Sequence, residues 1–416
     1  MKHPPNKPSP TPPATSRDLF CDAPLPTAPL NDSQRLACLR LIRSENVGPV
    51  TFRQLINHFG GAEQALDALP ELAQRGGGKR AIKICSKQRA ESELASAAAH
   101  GVVPLFTIEP GYPAALARLE VPPPLIYVKG RQDLLNRPAM AIVGSRNASA
   151  AGCKLARHFA SELGQAGLVI CSGLARGIDG AAHRNALEHG TIGVLAGGLD
   201  MIYPPEHEDL HHKIGNEGCL VSEMPCGFQP RAKDFPRRNR LISGLSLGVL
   251  VIEAARRSGT LVTARYGGEQ NREVFAVPGH PLDPRAQGTN QLLKSGATLV
   301  TETEDILETL RPLLSAKHQT NFAFREPAPQ TDWSDKSESL AHDCDQDRSG
   351  NETAHAIVLS ALSASPIDSD ELARTTGLAI RQVNAVLLEL DLAGLIVRHG
   401  HQLVSRAEPA PQAQKS

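Results

Sequence analysis

The stretch from Met140 to Leu199 constrains the fold more than any other part of the chain. It contains three short apolar runs, each followed by a turn of small residues, with helix-like segments between them. The runs are Ala141–Val143, Leu168–Cys171 and Ile192–Leu195. This β-α-β-α-β alternation is typical of a parallel sheet with helices on its faces. The stretch therefore predicts an α/β domain with a doubly wound, Rossmann-like, mostly parallel sheet.

Two turns of this stretch lie where predicted strands end and helices begin. One is Gly144-Ser145-Arg146, and the other contains Ser172, Gly173, Arg176 and Asp179. Ligands of open α/β sheets bind at such positions, because loops converge there and helix N-termini present free N–H groups to anions. Since each turn carries an arginine, the sequence predicts an anionic ligand.

The alternation continues through a central domain that we predict to span residues 109–314. Its further segments of this kind are Cys219–Ser222, Val249–Ile252, Val274–Val277, Gln291–Lys294 and Thr298–Val300, and we predict about seven strands in all. A helix is predicted over Arg237–Leu247. No Gly-x-Gly-x-x-Gly fingerprint follows the first strand, which argues against an NAD or FAD enzyme.

Before this domain, residues 33–100 predict a small helical module that ends in one helix over Ala81–His100. Its turn at Asn46–Phe52 resembles helix-hairpin-helix and sterile-alpha-motif modules, whose hairpin amides can hold a DNA phosphate. A purely structural helical bundle is an open alternative. The proline-rich residues 1–30 predict a disordered segment and no signal peptide.

After the central domain, the composition predicts an acidic linker at 315–351, a compact domain at 353–405 and a disordered tail at 406–416. The compact domain has three helices followed by a small hairpin, which is a winged-helix pattern. Its helices are predicted at Ala356–Leu362, Asp370–Thr375 and Ile380–Leu392. The third helix offers only Arg381 as a base, against Glu389 and Asp391. A protein-contact module or a weak nucleic-acid binder is therefore favoured over a major-groove reader.

Composition narrows the class of protein. The 44 basic and 44 acidic residues balance, so any basic site must be local. The eight cysteines are scattered, without a CxxC pair or metal-ligand spacing, which fits a reducing cytoplasm and predicts no metal or cofactor. No apolar run approaches the length of a membrane span, so no membrane insertion is expected.

The strongest local signal for chemistry is the segment Pro230–Arg240, in which basic residues surround Phe235. The basic residues are Arg231, Lys233, Arg237, Arg238 and Arg240, with Asn239 between the last two. Basic groups track a phosphate backbone, and an aromatic ring offers a stacking face to any base. The alternative is a solvated helix start with Phe235 in the core.

Other polar residues have both a binding and a structural interpretation. Ser258, Gly259 and Thr260 could approach a phosphate or simply cap a helix, and Asn290 could contact a ligand or start its helix. The acids near strand ends are Asp179, Asp200, Glu223 and Glu253. No two of them are spaced as an acid/base pair, and His183 is expected to be a hydrogen-bond partner. The sequence therefore predicts no catalytic residue.

Taken together, these motifs resemble the DprA (Smf) family of bacterial DNA-processing proteins. The resemblance covers roughly residues 109–314. It is carried by the segments Ala141–Arg146, Ser172–His183, Phe235–Ser243, Ser258–Ala264, Pro278-Gly279 and Gly288–Asn290. The order of the flanking modules also fits the family.

The resemblance implies a protein that binds single-stranded DNA without sequence preference. It also implies protection of incoming strands in natural transformation, loading of the RecA recombinase, a homodimer and no catalytic activity. Carried over by position, Arg146 contacts DNA, and Lys233, Phe235, Arg238 and Arg240 form a basic-aromatic pocket. The full predicted DNA-binding set is Gly144, Ser145, Arg146, Ser172, Gly173, Arg176, Lys233, Phe235, Arg237, Arg238, Asn239, Arg240, Ser258, Gly259, Thr260 and Asn290.

Two rival interpretations remain open at this stage. The fold also resembles nucleotide phosphoribohydrolases, in which a Gly-Gly-x-Gly-Thr loop is followed closely by a catalytic glutamate. Here Ser258-Gly259-Thr260 is followed by no glutamate until Glu269. The second rival is a protein scaffold that contacts RecA and the membrane uptake machinery without binding DNA itself.

Overall fold

The computed structural model describes residues 29–78, 80–319, 348–400 and 402–407. The predicted disordered segments at 1–30 and 406–416 lie largely outside these residues, as does most of the predicted linker at 315–351. Both ends of that linker are helical where they are described. One helix continues to Gln319, and the next begins at Arg348.

Four helices form the N-terminal module. They are α1 (Asp32–Ile42), α2 (Pro49–Phe59), α3 (Ala62–Arg75) and α4 (Lys87–Ala99). The helix predicted over Ala81–His100 is shorter than expected, because Ser86 acts as its N-cap and accepts a hydrogen bond from the Arg89 amide at 3.3 Å. Before the cap, the Cys85 amide donates to Ser44 Oγ at 3.1 Å and fastens the non-helical segment to α1.

A nine-stranded sheet forms the centre of the described chain. Its strands are β1 (Val103–Phe106), β2 (Leu125–Gly130), β3 (Ala139–Val143), β4 (Val169–Ser172), β5 (Thr191–Val194), β6 (Cys219–Ser222), β7 (Gly248–Val251), β8 (Glu273–Ala276) and β9 (Thr298–Leu299). The spatial order is β1-β2-β6-β5-β4-β3-β7-β8-β9. β3 to β9 are all parallel, and β1 and β2 extend the sheet in antiparallel fashion beside β6. The predicted doubly wound, mostly parallel sheet is confirmed.

Helices cover both faces of this sheet. They are α5 (Ala114–Ala117), α6 (Ala150–Gln165), α7 (Ile178–Ala186), α8 (Glu208–Glu217), α9 (Asp234–Gly244), α10 (Thr260–Glu269), α11 (Gln287–Lys294) and α12 (Thr303–Gln319). Residues of β3 alternate between two cores: Ile142 packs with α6, α7 and α12, whereas Val143 packs with α9 and α10.

Two local predictions in this domain were wrong. Gln291–Lys294 is the end of α11 and not a strand, because a run of only two leucines cannot distinguish a strand from a buried helix turn. The helix predicted over Arg237–Leu247 begins earlier, at Asp234, and ends at Gly244.

The C-terminal domain is a winged helix, as predicted. It contains α13 (Arg348–Ala361), α14 (Ser369–Thr376) and α15 (Ile380–Leu392), together with β10 (Ile367–Asp368), β11 (Ile396–His399) and β12 (Leu403–Arg406). The three strands pair antiparallel in the order β10-β12-β11. Arg406 therefore belongs to a strand and not to the predicted tail.

The end of α15 packs against the N-terminal module. Leu388 and Leu392 belong to the same apolar cluster as residues of α1 and α3. Thr51 Oγ1 donates to Asp391 Oδ2 at 2.6 Å, and Asn46 Nδ2 donates to the Leu392 carbonyl at 2.9 Å. The first and last domains are thus in direct contact, although the central domain separates them in sequence.

Candidate nucleic-acid interface

The turns that follow β3, β4 and β7 meet at one edge of the sheet, because these neighbouring strands are parallel. The contacts between the turns are direct. Thr260 Oγ1, at the start of α10, donates to the Gly144 carbonyl at 3.0 Å. The Ile178 amide, at the start of α7, donates to the Ser145 carbonyl at 3.3 Å. The structure therefore assembles the predicted ligand-binding turns into one rim.

Three side chains meet on this rim: Arg146, Phe235 and Tyr203. The Arg146 guanidinium lies over the Phe235 ring, 5.4 Å from its centroid. The Tyr203 ring centroid is 5.2 Å from that of Phe235, with the ring planes inclined at 54°. Phe235 is half-buried, and Arg146 is exposed. The predicted arginine and aromatic residue are thus brought together in a cation–π contact.

Arg238 has a different environment from the one predicted, because its side chain is only 6% exposed. Its Nη1 donates to the Gly173 carbonyl at 2.8 Å and also to the Val194 carbonyl. Burial lowers the pKa of Arg238 to about 10, against the opposing effect of the Asp179 carboxylate. Arg238 fastens α9 to the ends of β4 and β5 and also lines the cleft beside Arg146 and Phe235, so its contact with DNA stays a prediction.

Asp179 is the acidic partner in this buried arrangement. Its Oδ2 accepts from the Gly173 amide at 3.2 Å and from the Ala175 amide at 3.3 Å. Burial raises the pKa of Asp179, and Arg238 and the backbone donors oppose that rise. A side chain at Gly173 would collide with both charged groups, since its Cβ would lie 2.7 Å from Arg238 Nη2 and 2.9 Å from Asp179 Oδ2. Gly173 is therefore a packing position beneath the turn.

His183 completes the support of this turn and is fully buried. Its Nε2 accepts from the Leu174 amide at 3.3 Å, and its Nδ1 lies 2.7 Å from Thr191 Oγ1. Burial, followed by the nearby His207 and Arg238, lowers the pKa of His183 to about 3. The imidazole is neutral near pH 7 and holds Leu174 in a left-handed conformation at φ 54°. It is a hydrogen-bond partner, as the sequence predicted.

Arg240 is also tied to the protein and only 18% exposed. Its Nη2 forms an ion pair with Glu223, and its Nη1 donates to the Val121 carbonyl at 3.4 Å. The exposed Arg237 has its Nε 4.0 Å from Glu223 Oε2. Arg240 thus has an internal acid as its partner, and its DNA-contacting role stays a prediction.

Several further predicted site residues have structural partners. Ser172 Oγ, fully buried, donates to the Ile142 carbonyl at 2.6 Å. Ser258 Oγ accepts from the Thr260 amide at 3.1 Å, as expected for a helix start. Asn239 Nδ2 donates to the Gly259 carbonyl at 3.3 Å. These hydrogen bonds shape the rim, and contact of these residues with DNA stays a prediction.

Two other predicted residues stand at the periphery. Asn290 Nδ2 donates to the Gly279 carbonyl at 2.9 Å, and its Oδ1 accepts from the Gly279 amide at 3.2 Å, so both ends of its amide are occupied. Arg176 is exposed, and its Nη2 lies 2.6 Å from Glu206 Oε1 in a surface ion pair. An exposed pair of this kind is weak and can exchange its partner for a phosphate.

The two remaining candidate acids, Asp200 and Glu253, also accept hydrogen bonds from other groups of the protein. Asp200 accepts from the Gly227 amide at 2.9 Å. Glu253 accepts from the Ser149 amide at 2.9 Å and from Ser149 Oγ at 2.5 Å, at the start of α6. Each of these carboxylates fixes a loop or a helix start.

Besides Arg146 and Arg176, two further segments add exposed positive charge to the rim. Arg231 and Lys233 are exposed in the loop before α9, and Arg237 is exposed in the first turn of α9. After β7, Arg256 and Arg257 are also exposed. The sequence interpretation missed these last two residues, although two adjacent arginines directly after a strand are a visible signal. It also missed Tyr203, whose position in a tyrosine-proline turn after β5 gave no hint of a contact with Phe235.

In the part of the chain that the structure describes, no group of three or more His, Cys, Asp or Glu side chains could hold a metal ion. Nor does this part contain a helix that is both long and apolar enough to cross a membrane.

The sequence and the fold both match one family of proteins. The sequence pattern of DNA recombination-mediator protein A matches residues 104–311. The pattern of a DprA-like N-terminal helix-hairpin-helix domain matches residues 32–96, and that of the DprA winged-helix domain matches residues 344–401. The chain belongs to the DprA family. The three matches follow the order of the helical module, the sheet and the winged helix described above.

Individual members of the DprA family are similar to this chain in sequence and in structure. Protein Smf of Synechocystis is 32% identical over 388 residues, which cover 88% of this chain and 97% of that protein. The DNA processing protein DprA of Streptococcus pneumoniae is 44% identical over 207 residues, covering 49% of this chain and 73% of the relative. The crystal structure of DprA from S. pneumoniae aligns with a TM-score of 0.55 at 35% identity, over 65% of this chain and 95% of that one.

Proposed function

We propose that this protein binds single-stranded DNA along the rim formed by the turns after β3, β4 and β7. The observation that carries the proposal is the exposed Arg146 guanidinium beside the half-buried Phe235 ring. A guanidinium contacts phosphate, and an aromatic ring contacts a base that is not paired, so the combination favours a single strand over a duplex.

The charge distribution supports the same proposal. Arg146, Lys233 and Arg237 are exposed beside Phe235, whereas Arg238 and Arg240 are bound within the protein. Arg256 and Arg257 extend the positive surface beyond the Ser258 turn, which is joined to the Gly144 turn through Thr260. Such a track binds phosphates without reading base edges, and binding should therefore be independent of sequence.

The proposal is tested by titrating salt against affinity for single-stranded and duplex oligonucleotides. We expect the single strand to bind more tightly and its affinity to fall steeply as salt increases, because bound counterions are released from phosphate. Arg146→Ala should weaken binding to oligonucleotides of different sequence by the same factor, and Arg131→Ala, an exposed arginine away from the rim, is the control. Equal affinity for both DNA forms, or affinity that does not change with salt, would contradict the proposal.

We further propose that DNA bound in this way is handed to the RecA recombinase, and that the protein protects incoming strands in natural transformation. Membership of the DprA family supports this role. The test is the rate of RecA filament formation on a single strand already covered by single-strand-binding protein. The wild-type chain should accelerate it, and Arg146→Ala should do so only at higher protein concentration. No acceleration by a wild-type chain that binds DNA would remove this part of the proposal.

We propose also that two copies of the chain associate as a homodimer. Supporting it, Leu299 on the edge strand β9 is 51% exposed, and Leu313 on α12 is 44% exposed. Apolar side chains on and near a sheet edge are a common pairing surface. Light scattering should give twice the chain mass, and Leu299→Glu should shift it to one chain mass. A single chain mass for the wild type at micromolar concentration would contradict the dimer.

A further inference from the structure

Tyr203 is the most open aromatic side chain on the rim. It lies in the loop between β5 and α8, and 48% of it is exposed, although one part of its ring contacts Phe235 at a centroid distance of 5.2 Å. A ring that packs against a neighbour on one part and is open to solvent on the other can offer its free face to a base. The exposed face of Tyr203 is therefore a candidate contact for an unpaired base.

Phe235 is less accessible than Tyr203. Arg146 lies over its ring at 5.4 Å, and Tyr203 contacts it at an inclination of 54°. The cleft that these three residues share with Gly173 and Pro230 has a volume of about 20 Å³. This is room for a water molecule and not for a nucleobase. A base cannot enter the cleft as it stands, so bases contact the two rings at its mouth, where Tyr203 has the larger exposed fraction.

We infer that Tyr203 is a second base-stacking residue of the rim, which contacts an unpaired nucleobase next to the one that contacts Phe235. This inference rests on the proposed single-strand binding. Arg146 adjoins the same cleft and supplies a phosphate contact, and Lys233 lies two residues before Phe235 in the exposed loop. A strand following these cations brings its bases towards the two rings. The phenol ring tolerates any base, since every base has a π-face.

The competing explanation is that Tyr203 only shields Phe235 from water. The two roles differ in what they require of the side chain. Shielding needs apolar volume, which leucine also supplies, whereas stacking needs a ring, which phenylalanine supplies and leucine does not. Tyr203→Phe and Tyr203→Leu are therefore a matched pair.

The experiment measures the affinity of the full chain and its variants for an oligonucleotide and for a strand of equal length with abasic positions. We expect Tyr203→Ala and Tyr203→Leu to weaken binding to the normal strand about 5- to 150-fold, the range for loss of one base–aromatic contact. Tyr203→Phe should bind within about twofold of the wild type. On the abasic strand, all four proteins should bind with similar affinity, because the phosphates remain and the bases are gone.

Three results would overturn the inference. The first is wild-type affinity in Tyr203→Leu when Phe235→Ala is weakened. The second is an equal loss on normal and abasic strands, which would mean that the substitution disturbed the rim itself. The third is a melting temperature that falls in Tyr203→Leu but not in Tyr203→Phe, together with unchanged affinity of the folded fraction. If the wild type fails to bind the normal strand, the proposed function fails instead, before any variant is compared.

Discussion

Helix α9 carries predicted DNA contacts, whereas α15 is the helix that a DNA-reading winged helix would use, and the two helices differ in how their charges are placed. The start of α9 carries Arg237 in an exposed position, and the loop before it exposes Lys233. In α15 only Arg381 is exposed among its charges, because Glu389 and Asp391 face inward. Glu389 Oε2 lies 2.6 Å from His355 Nε2, within the winged helix.

The comparison teaches that a charged side chain on a candidate helix can serve the fold instead of a ligand. Asp391 binds Thr51 Oγ1 at 2.6 Å and Arg398 Nε at 2.8 Å, so this acid joins the winged helix to the N-terminal module. Arg238 of α9 likewise joins two strands. The role of a charged side chain in either helix is therefore decided by the residues around it and not by the number of charges on the helix.

The largest effect is expected from Arg238→Met, which removes the buried charge and keeps the length of the side chain. The Asp179 carboxylate would remain buried without its cation, which costs about 3–5 kcal/mol of unfolding free energy. Urea denaturation measures this loss, and Arg237→Met, at the exposed neighbouring position, should stay within about 0.5 kcal/mol of the wild type. If Arg238→Met is as stable as the control and instead loses DNA affinity, Arg238 is a DNA ligand after all.

A smaller effect is expected from Asp391→Ala at the contact between the domains. Thr51 Oγ1 and the Arg398 guanidinium would lose their shared acceptor, at a cost of about 1–3 kcal/mol. Hydrogen exchange should report faster exchange in α15, and Asp391→Asn should restore most of the protection because it retains an acceptor oxygen. Unchanged exchange in Asp391→Ala would show that the other contacts, including the Asn46–Leu392 hydrogen bond, hold the domains together without this acid.

An effect on affinity of a similar size is expected from Phe235→Ala. Loss of a base–aromatic contact should weaken single-strand binding by about 1–3 kcal/mol, whereas a fully buried ring would instead cost about 3–5 kcal/mol of folding stability. Because the ring is half-buried, we expect the loss mainly in the dissociation constant, with a modest fall in melting temperature. Phe235→Trp, which retains a π-face, is the control. A strongly destabilised variant that still binds normally once folded would end the stacking role.

The smallest effect is expected from Arg381→Ala at the start of α15. If the winged helix is not a DNA reader, loss of its exposed arginine should change single-strand affinity by less than about twofold. The same titration with Arg146→Ala shows how much affinity is lost when a proposed DNA contact is removed. A tenfold loss of single-strand affinity in Arg381→Ala would mean that α15 contacts DNA. The two helices would then not differ in this respect.

Much of the fold was predictable because its signals are local. The short apolar runs of β3, β4 and β5 and the small-residue turns after them appear in the sequence in the order that the sheet requires. Prediction of secondary structure failed where only a few residues indicated the type of element, as at Gln291–Lys294. The burial of Arg238 had a usable local signal as well. It precedes Leu241 and Ile242 by three and four residues, which places it on the buried face of α9.

By itself, the sequence determined the central parallel strands, the turns that follow them and the family, since each depends on residues that are close together in the chain or on a pattern of such segments. Only the tertiary structure decided which polar side chains remain open to a ligand. Arg240 meets Glu223, and Phe235 meets Tyr203, because the fold brings α9 and two separate loops to one edge of the sheet. Whether a charge is free is a property of its neighbours in space, and those neighbours are set by the packing of the whole domain.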